Sequence, residues 1–302
     1  MKKVTAILLV MVMVFSFAAC GNNNNTTSTA SGTGSTDTAA KFDATKAITV
    51  ISREEGSGTR DAFIELTGVQ TKDADGNKTD NTTDEAVIID GTQAVMSSVA
   101  SNEYAIGYIS LGSLNDTVKA AKVGGVAPSA SSIKDGSYIL ARPFNIATKE
   151  NLSEVAQDFV DYILSTDGQK VVEANGCVAL DATEPYAGSK PSGKIVIVGS
   201  SSVSPVMEKL KEAYLTVNTN ATIEIQTLDS SAGISAAASG TCDIGMASRA
   251  LKDSEKATLT ETKIAMDGIA VIVNNDNPTE DLTKDQIAKI FKGEAEAWDE
   301  IG

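Results

Sequence analysis

The 302-residue chain contains no histidine. That absence removes Ser-His-Asp and Cys-His nucleophile pairs and every histidine-based metal site, and it weighs heavily against a hydrolase. Cysteine is nearly as scarce, with three in all. The spacing of Cys177 and Cys242 suggests neither a metal site nor a disulfide framework, so both read as small buried residues, with a bridge between them as the minor alternative. Basic residues are also in short supply, 25 Lys and Arg against 40 Asp and Glu, a formal net charge of −15. Nucleic-acid binding relies on a basic surface and is disfavoured. A small anion site survives this test, because distant surface charges are screened and a few N–H dipoles with one or two cations suffice locally.

What is present begins with an export signal. Lys2 and Lys3 precede an apolar run over residues 4–17, then Ala18, Ala19 and Cys20. The small-small-Cys ending resembles the lipobox of bacterial lipoproteins, with Phe17 where those signals more often carry Leu. The resemblance implies cleavage before Cys20 and lipid on its sulfur, anchoring the protein to the outer face of the cell membrane. Residues 21–46 read as a tether, because a stretch of Asn, Thr, Ser, Gly and Ala to about Lys41 buries too little apolar surface to offset its ordering entropy.

Short apolar runs at 48–51, 105–109, 195–198, 223–226 and 269–273 alternate with helical segments, a pattern of α/β layers with parallel strands. Met207, Leu210, Tyr214 and Val217 recur at helical spacing after Pro205. Val155, Phe159, Tyr162 and Ile163 predict another helix, ending near Thr166-Asp167-Gly168. Residues 181–193, with Pro185, Gly188, Pro191 and Gly193, read as a linker or an extended surface crossing. No internal repeat relates the two pieces it separates.

Three helix mouths carry the chemistry. Ser52-Arg53-Glu54-Glu55-Gly56-Ser57-Gly58-Thr59-Arg60 lies between a strand and a helical segment. Its glycines let successive N–H groups point outward, Ser57 and Thr59 add hydroxyls, and Arg53 offers a forked, charge-assisted contact to a tetrahedral oxyanion. It is no nucleotide P-loop, since no Gly-Lys-Ser/Thr follows at the required spacing. Gly199-Ser200-Ser201-Ser202-Val203-Ser204-Pro205 and Asp229-Ser230-Ser231-Ala232-Gly233 follow two further strands. Taken singly each is a capped helix, with a serine as one candidate cap of the third. Together they fit a small anion site at the carboxyl ends of the strands of an open α/β sheet.

The run from Ile51 to Phe63 closely resembles the phosphate-binding proteins of bacterial phosphate ABC transporters. Residues 199–205, Ser230-Ser231-Ala232-Gly233, residues 243–249, 267–274 and 105–110 resemble the same family, and the likeness spans nearly all of 47–302. It implies the two-lobed, hinged α/β fold of type II periplasmic binding proteins, an ABC permease as partner, inorganic phosphate as ligand, a monomer, and no enzymatic activity. Carried over residue by residue, it puts Arg53, Ser57, Gly58 and Thr59 on the anion from one lobe and Ser201, Ser202 and Ser230 from the other, with Ser248, Arg249 and Asp267 as further candidates. Some relatives carry an aspartate at the position of Arg249 to accept the proton of hydrogen phosphate. Here either Arg249 contributes positive charge or another acid, such as Asp267 or Glu55, accepts; a structural ion pair is the bland alternative for all three. The segment order is also permuted relative to the family. The expected lobes are therefore 47–116 with 275–302, carrying the Arg53 loop, and 117–274, carrying the serine loops, with crossings near 116–120 and 273–275. Competing readings are a binding protein for sulfate or molybdate, a serine-based phosphatase, an adhesion or structural lipoprotein, and, for the chain order, half of a tandem array completed by a neighbouring molecule.

Overall fold

The computed structural model describes residues 41–301; the export signal, Cys20 and most of the tether lie outside the described residues. Its frame is one mixed sheet. The principal strands are β1 (Thr49–Arg53), β2 (Val87–Ile89), β3 (Ala105–Ser110), β4 (Ala141–Thr148), β5 (Gly193–Ser200), β6 (Ala221–Leu228), β7 (Ile244–Ala247) and β8 (Thr260–Val273). They lie in the order β6-β5-β7-β4-β8-β3-β1-β2, with the short strand Lys119–Ala120 also paired to β8. The principal helices are α1 (Gly58–Thr67), α2 (Thr92–Ala100), α3 (Glu154–Leu164), α4 (Thr166–Ala174), α5 (Ser204–Val217), α6 (Ser230–Ser239) and α7 (Lys284–Phe291).

The expected strands all form, but the sheet is not wholly parallel. β1 is parallel to β2 and β3, and β5 is parallel to β6 and β7, whereas β8 runs antiparallel to both β4 and β3. The long strand β8 is the reason. Residues 260–268 of it pair with β4 and residues 269–273 with β3, so one strand serves two parts of the sheet.

Two large apolar cores flank that switch. One gathers Phe144, Phe159, Ile195, Ile197, Leu210, Tyr214, Ile244 and Ile264; the other gathers Phe63, Tyr108, Tyr138, Leu140, Ile269, Val271, Phe291 and Trp298. The helical stripes anticipated in the sequence supply the first core, as amphipathic spacing requires, except for Val217, which lies exposed at the end of α5. Val118, Val123, Ile133, Tyr138 and Leu140 pack with Ile51 or Phe63 rather than with the serine-loop strands, because the chain stays beside β8 and β3 as far as β4. Phe42 packs tilted against Tyr104 at 5.0 Å and meets Trp298 edge-on at 6.2 Å, so the tether ends before 46: its last residues place a half-buried aromatic ring on the fold.

α3 ends at Leu164, just before Thr166-Asp167-Gly168 as expected, but those three residues also begin α4. Ser165 closes the first helix and caps the second, accepting a hydrogen bond from the Gly168 N–H at 3.2 Å. Residues 181–192 form no regular element and are pinned by Asp158, which accepts from the Tyr186 hydroxyl at 2.5 Å and the Ser189 N–H at 3.0 Å. Cys177 and Cys242 are buried free thiols, and burial pushes both above the usual thiol range, Cys242 to about 11. The bridge between them does not form.

Candidate functional site: a hydroxyl cluster around a buried arginine

The Arg53 loop leaves the carboxyl end of β1 and turns into α1. Gly56 makes the turn at φ +87°, a conformation that costs a glycine little. Ser57 caps α1, accepting from the Arg60 N–H at 3.3 Å. Arg53 is 1% exposed. Its backbone N–H donates to the Tyr108 hydroxyl at 3.1 Å, and Glu54 accepts from its Nε and Nη2 at 2.7 and 2.6 Å. This bidentate grip orients the other edge of the guanidinium, from which Nη2 reaches Ser201 Oγ at 3.0 Å and Nη1 reaches Thr92 Oγ1 at 3.4 Å. Burial works against the Glu54 charge, but the hydrogen bond and charge of Arg53 outweigh it and hold this carboxyl below the usual range.

The serine loops approach from the ends of β5, β6 and β7. Ser202 Oγ lies 2.8 Å from Thr59 Oγ1 and 3.2 Å from Thr92 Oγ1. Ser230 Oγ lies 3.3 Å from Ser248 Oγ and accepts from the Ser248 N–H at 3.0 Å. Asp229, not a serine, caps α6 by accepting from the Ala232 N–H at 2.8 Å, which leaves the Ser230 hydroxyl for the cluster. The approach is close: a Cβ at Gly58 would fall 2.5 Å from Ser230 Oγ and 3.0 Å from Ser248 Oγ. The Ser231 N–H donates to the Gly56 carbonyl at 3.2 Å, tying the first and third helix mouths together.

Arg53, Gly58, Thr59, Ser201, Ser202, Ser230 and Ser248 thus converge, with Ser57 behind them as the helix cap. Arg249 and Asp267 do not join them. Arg249 turns toward Glu255, which accepts from it at 2.8 and 2.9 Å, and toward Asp61 at 3.1 Å. Asp267 is paired with Arg142 at 3.1 Å and accepts from the Gly112 N–H at 3.4 Å, and burial pushes its carboxyl up against the pull of Arg142. Glu55 is exposed. Among the described residues, no group of acids and thiols is arranged to hold a metal ion.

Three participants escaped the sequence reading. Thr92 follows Asp90-Gly91 at the mouth of α2 after β2, a fourth strand-glycine-helix junction that the same pattern could have flagged. Glu54 was masked by its neighbour Glu55. Arg142 donates from Nη1 to the Ser248 carbonyl at 3.1 Å from a strand with no local sign of a site.

Chemically, the cluster offers one guanidinium, at least six hydroxyls able to donate or accept, and helix N-termini, brought together from distant parts of the chain. That is a donor shell for a small tetrahedral oxyanion and contains no activated nucleophile.

Comparison with known proteins agrees. The chain matches the PBP superfamily domain over residues 22–167 and 184–302. It is 49% identical over 269 residues to the phosphate-binding protein PstS 2 of Streptococcus agalactiae serotype V, covering 88% of this chain and 91% of that one. A phosphate-binding protein of a Streptococcus pneumoniae phosphate ABC transporter, solved by crystallography, superposes with a TM-score of 0.68 at 49% identity, covering 85% of this chain and all of that one. The phosphate-binding protein PstS of Staphylococcus haemolyticus is 41% identical over 111 residues, covering 34% of this chain and 35% of that one. The chain belongs to the PBP superfamily and, within it, to the phosphate-binding proteins of ABC transporters.

Proposed function

We propose that this protein captures inorganic phosphate outside the cytoplasm and delivers it to an ABC importer, with lipid on Cys20 as its anchor. The role is binding, not catalysis. The observation that carries the reading is the convergence of Arg53 and Thr59 from one side with Ser201, Ser202, Ser230 and Ser248 from the other, at 3.5 Å or less between neighbouring polar atoms. An oxyanion entering the cluster exchanges these mutual contacts for its own. Glu54, held ionised beside the guanidinium, is the carboxylate best supported as acceptor for the proton of hydrogen phosphate. Equilibrium dialysis with radiolabelled phosphate tests the function: one phosphate per chain is expected, and no retention contradicts it.

The fold reads as two lobes, one around each large core, with β4 and β8 crossing between them. The memberships of the cores support crossings at 140–142 and 267–269. Donors from both lobes reach one small anion only when the cleft is shut, so phosphate should shift the molecule toward a closed form. Small-angle scattering should therefore give a smaller radius of gyration with phosphate than without. Superimposable open profiles would contradict hinge closure.

The permuted order is likewise our reading. It is supported by the pairing of Ala47 with Ala297 and by the Asp299 N–H donating to the Ala44 carbonyl at 3.0 Å, which bring both parts of the Arg53 lobe together within one chain. Exchange with a neighbouring molecule is unnecessary for that lobe. A match along nearly the whole chain to the streptococcal protein, against one third for the staphylococcal protein, fits an order shared with the first and rearranged in the second. Permutation of this kind is tolerated where ends lie close at the surface and an irregular segment, here 181–192, joins the former ends.

Single hydroxyls should matter modestly. Ser201→Ala removes one neutral partner of Arg53 and should weaken phosphate binding by about 1 kcal/mol, roughly fivefold in Kd by titration calorimetry. A loss as large as that of Arg53 would contradict this ranking.

A further inference from the structure

Arg249 lies outside the hydroxyl cluster, yet it makes the one ion pair among the described residues that joins the two lobes. It follows β7 on the serine-loop side, where the Glu255 carboxylate and the Ala250 carbonyl accept from its Nη1 and Nη2 at 2.8 to 3.0 Å. Its Nε lies 3.1 Å from Oδ2 of Asp61 without the alignment of a hydrogen bond, so this contact is mainly one of charge. Asp61 belongs to the first turn of α1, three residues beyond Gly58, and its carboxylate has no other ion-pair or hydrogen-bond partner among the described contacts.

We propose that Arg249 and Asp61 form a closure clamp that sets how long phosphate stays bound. The proposal rests on the phosphate-binding reading above and adds a pair of residues that act on the closed form without touching the anion. Glu255 holds Arg249 in place before closure, so shutting the cleft orders only Asp61. Because the contact exists only between shut lobes, its free energy falls on the closed state and appears in the dissociation rate more than in the association rate. The gain is limited, since closing also strips water from Asp61: burial pushes its carboxyl up even beside Arg249 and Lys252. The pair lines a cavity of about 500 Å³ together with Lys252 and Lys78, which gives dissolved ions access to it.

The test is a chase of bound radiolabelled phosphate by excess unlabelled phosphate, comparing the parent with Asp61→Asn and Asp61→Glu. In Asp61→Asn, dissociation should be faster by about 3- to 10-fold, with the association rate within about twofold. Parent dissociation should quicken with sodium chloride more than that of Asp61→Asn, and Asp61→Glu should recover part of the slow release. Thermal melting without phosphate identifies any variant that fails to fold; Arg249→Met then gives the same comparison from the other partner. Equal dissociation rates and equal salt dependence in folded parent and variants would overturn the clamp while leaving phosphate binding intact. A parent that binds no phosphate would instead overturn the functional reading, and the clamp with it.

Discussion

Arg53→Ala is expected to weaken phosphate binding about 100-fold or more, the largest loss from any single truncation in the site. Two effects add. The anion loses its one charge-assisted, forked contact inside the cluster, and Glu54 loses the partner that holds both of its oxygens at 2.7 and 2.6 Å. A carboxylate left without its cation in a largely buried position repels the incoming anion or protonates, and either outcome disfavours binding. Lysine should not rescue the site, because a point charge cannot hold Glu54 on one edge while meeting Ser201 and Thr92 on the other. Arg53 is fully buried, so the variant also risks lower stability. Melting curves and calorimetric titrations should therefore be read together, with Arg53→Lys as the milder change. A folded Arg53→Ala protein with the parent affinity would contradict the role given to this residue.

Gly58→Val should produce the second large loss, by a different route. No donor is removed. The new side chain begins with a Cβ 2.5 Å from Ser230 Oγ and 3.0 Å from Ser230 Cβ, and two methyl groups extend it into the serine loops. Overpacking of this kind costs about 1–3 kcal/mol, and under the proposed hinge closure the cost falls on the closed form. Phosphate affinity should drop on the order of 10- to 100-fold while the melting temperature without phosphate changes little. Retained affinity would show that the lobes need not approach as closely as they do here.

Much of this was legible in the sequence because local chemistry carried it. Gly56, Ser57, Gly58 and Thr59 follow a strand and open a helix, and that junction brings glycines, hydroxyls and a helix N-terminus together within a few residues. The stripe of Met207, Leu210 and Tyr214 likewise fixes one buried face of α5. What stayed hidden depends on residues far apart in the chain. Arg142 and Asp267 become partners only when β4 and β8 align antiparallel, a register that neither segment declares by itself. The turn of Arg249 away from the cluster required knowing that Glu255 and Asp61 flank it. The double role of β8 was hidden for a related reason: it is one continuous strand of 14 residues, and only its change of partner after Gly268 separates the part beside β4 from the part beside β3. The missed start of α4 is a matter of local ambiguity, because Ser-Thr-Asp-Gly both ends and begins helices.

The central claim is that this cluster is built for phosphate, with Glu54 available to accept a proton that sulfate does not carry at neutral pH. Sulfate meets the same carboxylate without a hydrogen to offer, so it loses a bond and gains a repulsion. The measurement that tests this most directly is titration calorimetry of the purified protein with phosphate and with sulfate at one pH and ionic strength. One phosphate per chain is expected, with sulfate binding weaker by about 100-fold or more; equal affinities for the two anions, or tighter binding of sulfate, would contradict a site built for phosphate.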